Sequence, residues 1–218
     1  MKIADHRRVA SLAARVVGAD EAEASRGAAA PDIYAMKYGM RFRHHSRHPR
    51  LIANLLLEAR REFLSGDRKR ASRLTGVATH FALDAMVDAR RHDWYENEVH
   101  EALIAMPSAR AEELAARGAR WGLRHASLKG ARRLASIGRI KDPRAAAERS
   151  LEWSGAAFAM VFYDGEPKRG SKIPFVATAL ATAATVALGH PYLGLAMIPL
   201  NLIALYDAAR PDPWFLRP

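Results

Sequence analysis

Apolar positions spaced three and four residues apart dominate the first 163 positions of the chain. That is the period of a helix with one buried face. RLIANLLLEARREFLSG, residues 50–66, shows it most clearly, with Ile52, Leu55, Leu56 and Phe63 on one side and Gly66 as a stop. HRRVASLAARVVG predicts a first helix ended by Gly18, and a short helix fits 20–28. A long loop is expected from Pro31 to Pro49. Residues 67–106 read as one helix or a pair of helices, with Asp67 as N-cap and Pro107 beyond the end. Further helices are expected at about 108–118, 120–137 and 143–163. The last has Asp142 as N-cap and Pro143 at the first helical position. Ala is abundant and β-branched runs are few, so the pattern predicts an all-α helical bundle.

The pattern changes near the C-terminus. From Ile173 to Tyr206 the chain carries no Asp, Glu, Lys or Arg, and Gly189, His190 and Pro191 interrupt the middle. A spanning helix needs roughly 20 apolar residues, and each half falls a little short. The run fits a single tilted span, a shallow hairpin at a membrane, or an Ala-rich pair buried in a soluble core. We expect membrane association, and divide the chain into a domain at 1–165 and an apolar segment at 166–218 that forms a helical hairpin.

Composition narrows the chemistry. Half of the 218 residues are hydrophobic, enough for a sizeable core, and there is no cysteine. Disulfides and Cys-based zinc sites are therefore excluded, and any metal must be held by His and carboxylates. The opening MKIADHRRVASLAARVVG lacks the apolar core of a signal peptide, so residence on the cytoplasmic side is expected. The net charge is +11, and residues 104–150 alone hold eleven Lys/Arg against four Asp/Glu. Such a stretch can face anionic lipid or nucleic acid, or be a solvated helix face. It lacks the interleaved aromatics that stack on bases.

The densest candidate chemistry is in THFALDAMVDARRHDWYENEVH, residues 79–100. His80, Asp84, Asp88, His92, Glu96 and His100 follow one another at four-residue steps. Each step drifts by about 40° around a helix, so 80, 84 and 88 span about 80° while His100 has drifted about 200°. No straight helix aims all six at one point. The ladder must divide into a group at 80, 84 and 88 and a second at 92, 96 and perhaps 100. His92 and Glu96 again form the pair by which one helix supplies two ligands to one metal. Isolated pairs of this kind are common on helix surfaces, but His80 and Asp84 lie among Leu74, Val77, Phe81, Leu83 and Met86. Charged groups do not enter such a stretch without partners. A second histidine cluster, RFRHHSRHP, lies upstream.

These residues resemble the zinc-dependent phospholipase C family, which is related to the P1-type zinc nucleases. GVATHFALD is similar to the family's Gly-x-x-x-His-x-x-x-Asp helix, and HDWYENEV to its His-x-x-x-Glu segment. DHRRVASLAARVVG followed by GAAAPDIY resembles its opening, with an early His and a later Pro-Asp. The resemblance covers about residues 1–105. It implies an all-α bundle with two or three zinc ions in a cleft, held by His6, Asp32, His44 or His45, His80, Asp84, Asp88, His92 and Glu96. It further implies hydrolysis of a phosphodiester, with a metal-activated water attacking phosphorus and Asp32 orienting or deprotonating that water. His80, Asp84, Asp32 and His44 or His45 would form one metal site, and His92 and Glu96 a second. Asp84 suits a bridging role, and Arg90 and Arg91 read equally as a phosphate-binding pair or an idle surface pair.

The sequence departs from the family in two places. Asp88 stands where the family has a His, which makes the site harder and admits Mn or Mg. Secreted members also use the α-amino group of a processed N-terminal residue as a ligand, whereas no processing signal is visible here and His6 lies five residues in; His100 is a candidate replacement. A phospholipid substrate at a membrane surface fits the uncharged run and the basic stretch. A zinc nuclease acting on nucleic acid fits the charge. A membrane-anchored module with a structural metal site needs no turnover, and an HD-type phosphohydrolase would use the adjacent His92 and Asp93. His125 and His190 read as packing or surface residues. Trp94 and Tyr95 read as core or cleft, and Trp121, Trp153 and Trp214 as packing or bilayer anchors.

Overall fold

The computed structural model describes residues 1–38, 48–87, 92–165, 180, 183 and 214, with the side chains of Tyr38 and His92 outside the description. Eight α-helices and no strand occur among these residues: α1 Ile3–Val17, α2 Glu21–Tyr38, α3 Pro49–Ser65, α4 Arg68–Met86, α5 His92–Ala105, α6 Ser108–Arg124, α7 Leu128–Ala135 and α8 Pro143–Val161. The all-α reading therefore holds. The chain divides into two compact units, Met1–Asp164 with Leu216–Pro218, and Gly165–Phe215. All eight helices belong to the first. The uncharged run lies in the second, where the expected hairpin is outside the described residues. No helix among the described residues is long and apolar enough to cross a membrane.

Local sequence sets most helix ends. Gly18 and Gly66 close α1 and α3 in the left-handed conformation (φ +70° and +96°), which costs a residue without Cβ little. The Asp67 side chain accepts the Arg70 N–H at 2.9 Å and starts α4. Asp142 accepts the N–H groups of Arg144 and Ala145, each at 3.2 Å, and starts α8 with Pro143 behind it. Val87 is extended, and the ladder of 79–100 divides between α4 and α5.

Two expectations need correction. The loop expected from Pro31 does not start there: α2 runs through the proline as far as Tyr38, and 39–47 lie outside the described residues. Proline there removes one bond to the Gly27 carbonyl, at a cost of about 3 kcal/mol, and packing against α1 and α4 offsets it. The boundary expected near 119 is also absent. Gly118 is buried against α8, and the break falls at 125–127, where Ser127 accepts the Gly130 N–H at 2.9 Å and caps α7.

α8 is the central element, touching α1, α3, α4, α5, α6 and α7. Its Ala, Gly and Ser residues let neighbours surround it. The buried Ser150 and Ser154 hydroxyls donate back to Ala146 and Ser150 carbonyls at 2.7 and 2.8 Å, so neither is left unsatisfied. The buried Arg60 of α3 donates to the carbonyls of Val161 (2.8 Å) and Tyr163 (2.5 Å) at the end of α8. Burial pushes its guanidinium down to about 10, still cationic at neutral pH and suited to a helix C-terminus.

The contact that matters most for the site is α2 against α4. A Cβ on Gly76 would sit 2.2 Å from the Ala24 carbonyl oxygen, and one on Gly27 would sit 2.0 Å from that of Arg73. Only glycines allow these backbones so close. The close approach lets the main chain of α2 reach the side chain of His80, one turn beyond Gly76.

Candidate metal centre

Three helices bring the polar cluster together. His6 stands in the first turn of α1, and His80 and Asp84 stand one turn apart on α4. Each offers a ligand atom within 4.8 Å of the others. His6 Nε2 is 3.2 Å from Asp84 Oδ1, and His80 Nε2 is 3.3 Å from Asp84 Oδ2. The two imidazoles face each other at 4.2 Å between centroids, tilted by 33°. His6 and His80 are fully buried and Asp84 is 2 % exposed. Asp32, on α2, approaches from the more open side, its Oδ1 3.8 Å from His80 Nε2 and its side chain 20 % exposed.

The hydrogen bonding shows what the cluster lacks. The carbonyl of Ala28 can only accept, and it lies 3.0 Å from His80 Nδ1, so the proton of a neutral His80 is on Nδ1. Nε2 then turns a lone pair toward two carboxylates. That arrangement is favourable only with a cation between them or with a second proton on the ring. His6 Nδ1 is buried with no hydrogen-bond partner among the described residues, and its Nε2 meets the Asp84 carboxylate at 3.2 Å. Buried nitrogens of this kind are rare and costly unless something binds them. Two imidazoles and a carboxylate are a zinc-type donor set, and the Ala28 bond is the outer support that orients such a ligand.

The α-amine of Met1 adds a fourth group. It donates to Glu96 Oε1 at 2.6 Å and to Asp84 Oδ1 at 3.3 Å. Burial alone would push this amine down, but Asp84 and Glu96 outweigh it and hold it above its ordinary value. Burial likewise favours a neutral Asp84, yet His6, the Met1 amine and His80 hold its carboxyl well below the usual carboxylate range. Asp84 is therefore an anion in the interior, surrounded on both oxygens.

The expected residues sort as follows. His6, His80 and Asp84 converge, with Asp32 at the edge and Glu96 joined through the Met1 amine. His92 begins α5, but its side chain is outside the described residues, as are His44, His45, Asp88, Arg90 and Arg91. His100 lies with Asp5, its Nδ1 2.7 Å from Asp5 Oδ1. Asp5 had no assigned role, although it shares the Val9 and Ala13 stripe of α1, where all three are buried. His125 stacks on Trp121 at 4.3 Å and donates to its carbonyl, a packing role. Trp153 is buried with its N–H on the Leu134 carbonyl, and Tyr95 is buried with its hydroxyl on that of Ile140. Trp94 is exposed.

A separate groove of about 520 Å³ lies between α6, α8, the end of α7 and the segment after it, lined by Arg117, Trp121, Arg124, Arg133 and Arg149, and by none of the cluster residues. Arg117 and Arg149 there share Glu152. No family model, curated protein or solved structure matches the chain.

Proposed function

We propose that the chain is a metal-dependent phosphodiester hydrolase of the zinc-dependent phospholipase C type, acting on phospholipids. The observation that carries this reading is the convergence of His6, His80 and Asp84, from α1 and α4, in an interior where both Nε2 atoms face Asp84 and His6 Nδ1 is buried without a hydrogen-bond partner among the described residues. The order of these residues is that of the family the sequence resembles, and the Met1 α-amine beside Asp84 and Glu96 is consistent with it.

His6, His80 and Asp84 would hold the ion, with Asp32 at its open side. Zinc bound there would supply a Lewis acid for a phosphate oxygen and lower the pKa of a water. The Ala28 carbonyl keeps the His80 proton on Nδ1, so that Nε2 stays a donor of electrons. Asp84 has two oxygens among three nitrogens and suits a bridge between cations. Asp32, the most exposed carboxylate at the cluster, would orient a water and accept its proton at Oδ1. The Arg-lined groove and the basic stretch support an anionic surface as the setting of the substrate.

Metal content by plasma mass spectrometry, on the full chain purified without chelator or His-tag, tests the reading. Two or three equivalents of zinc are expected, with more than one lost in Asp84→Asn. Hydrolysis of p-nitrophenyl phosphorylcholine is expected as well, and Asp32→Asn should abolish it while keeping the metal. A folded protein without metal would end this reading. The complete burial of His6 and His80 favours a second reading, a closed structural site. Full metal content with no turnover on lipid or nucleotide diesters would select it.

A further inference from the structure

The reading above leaves the second half of the ladder without a complete ligand set. We propose that His100 is a ligand for a second divalent cation of the zinc class, paired with Glu96 on α5 and positioned by Asp5 of α1. This inference rests on the metal-centre reading and extends it to a residue outside the family resemblance.

The first observations concern Asp5 and its contact with His100. Asp5 is only 2 % exposed, a burial that a carboxylate does not adopt without a reason. Its Oδ1 lies 2.7 Å from His100 Nδ1, and its Oδ2 is buried with no hydrogen-bond partner among the described residues. An ionised carboxylate only accepts, so the proton shared with it belongs to Nδ1, and a neutral His100 keeps its lone pair on Nε2. This is the carboxylate–histidine arrangement that orients metal-ligating imidazoles. It repeats the device at His80, whose Nδ1 is held by the Ala28 carbonyl.

The remaining observations concern access and neighbours. The His100 side chain is 23 % exposed, so an ion can reach the ring while Nδ1 is occupied. His100 follows Glu96 by one turn of α5, the spacing at which one helix gives two ligands to one ion. Glu96 is 2.6 Å from the Met1 amine, which also touches Asp84, so this side of α5 adjoins the first cluster. His92 lies two turns before His100, about 12 Å along the axis. The His92 side chain is outside the described residues, and the Asp5 contact singles out His100.

The test is zinc and cobalt binding by the full chain, wild type against His100→Gln, Asp5→Asn and Asp84→Asn. Glutamine keeps an N–H for Asp5 but is a poor zinc ligand. His100→Gln should therefore match the wild type in metal-free melting temperature and lose one equivalent of zinc. Asp5→Asn should keep the count and weaken the second binding step by about 10–100-fold. A His100→Gln protein with the wild-type count and cobalt spectrum would overturn the proposal. So would a wild type that binds one ion, lost in Asp84→Asn, and in that case the first cluster would still stand. A wild type without metal would remove both readings. A second measurement needs no variant: carbethoxylation of His100, followed by peptide mapping, should be suppressed by zinc. Equal labelling with and without zinc counts against a ligand.

Discussion

At the residue scale, Asp84 concentrates the free energy of the site. An anion in the interior persists because His6, His80 and the Met1 amine surround it, and the same contacts fix how stability follows pH. In the metal-free chain the Asp84 pKa is lower in the folded state than in the unfolded state, where it is about 3.9. The unfolded state then binds more protons in acid, so this stabilisation is present above about pH 5 and lost as pH falls. The Met1 amine has the opposite sign. Its folded pKa is raised above an unfolded value of about 8, so its contribution is present below that and lost as pH rises through the folded value. Urea midpoints of chelator-treated protein should be level from about pH 5 to about 8 and fall on both sides. Asp84→Asn should flatten the acid limb, and a two-residue extension ahead of Met1 should flatten the alkaline one. An acid limb unchanged in Asp84→Asn would mean that other carboxylates set it. His80 and Asp84 were legible in the sequence because a polar pair one turn apart interrupts an apolar run. Asp5 was not, because an acid in a first helical turn reads equally well as a dipole partner. The Ala28 carbonyl and the Met1 amine are backbone groups, and no side-chain pattern announces them.

At the element scale, the geometry of the centre depends on how closely α2 lies on α4. Gly76 makes this testable, because two effects oppose each other there. Helix propensity alone favours Gly76→Ala by about 1 kcal/mol. Yet the new Cβ would meet the Ala24 carbonyl oxygen at 2.2 Å, and a backbone atom cannot move aside without moving the helix. Overpacking of this sort costs about 1–3 kcal/mol, so a net loss of stability is expected. The displaced α2 carries Ala28 and Asp32 with it, so zinc should also bind more weakly. Urea denaturation and competitive zinc titration would measure the two effects. A stabilised variant with unchanged affinity would mean that the α2–α4 spacing does not control the site. Elements show the same division of legibility. Ends written by Gly18, Gly66, Asp67 and Asp142 could be read directly, since each carries its own stereochemical reason. Pro31 and Gly118 misled, because their local preference yields to packing against α4 and α8, which a linear pattern does not contain.

At the scale of the whole molecule, the eight helices and the candidate centre belong to a unit that ends at Asp164 apart from its last three residues. The 34-residue uncharged run belongs to the other. No described helix is long and apolar enough to cross a bilayer; on the proposed reading the hold on a membrane would come from that run or from basic surface such as the Arg-lined groove. Deleting 173–206 separates these sources. The shortened chain should keep its far-ultraviolet helical signal and its zinc. It should still hydrolyse a soluble diester such as p-nitrophenyl phosphorylcholine, and no longer sediment with neutral phosphatidylcholine vesicles. Any remaining affinity for phosphatidylglycerol vesicles should fall steeply with salt, as expected for guanidinium groups meeting phosphates across a layer about 10 Å thick at 0.1 M. Reversing Arg133, which lines the groove, to Glu should weaken it further. Unchanged binding to neutral vesicles would place the membrane contact in the helical unit. An unfolded product would mean that the uncharged run completes the core, and the membrane assignment would then be given up.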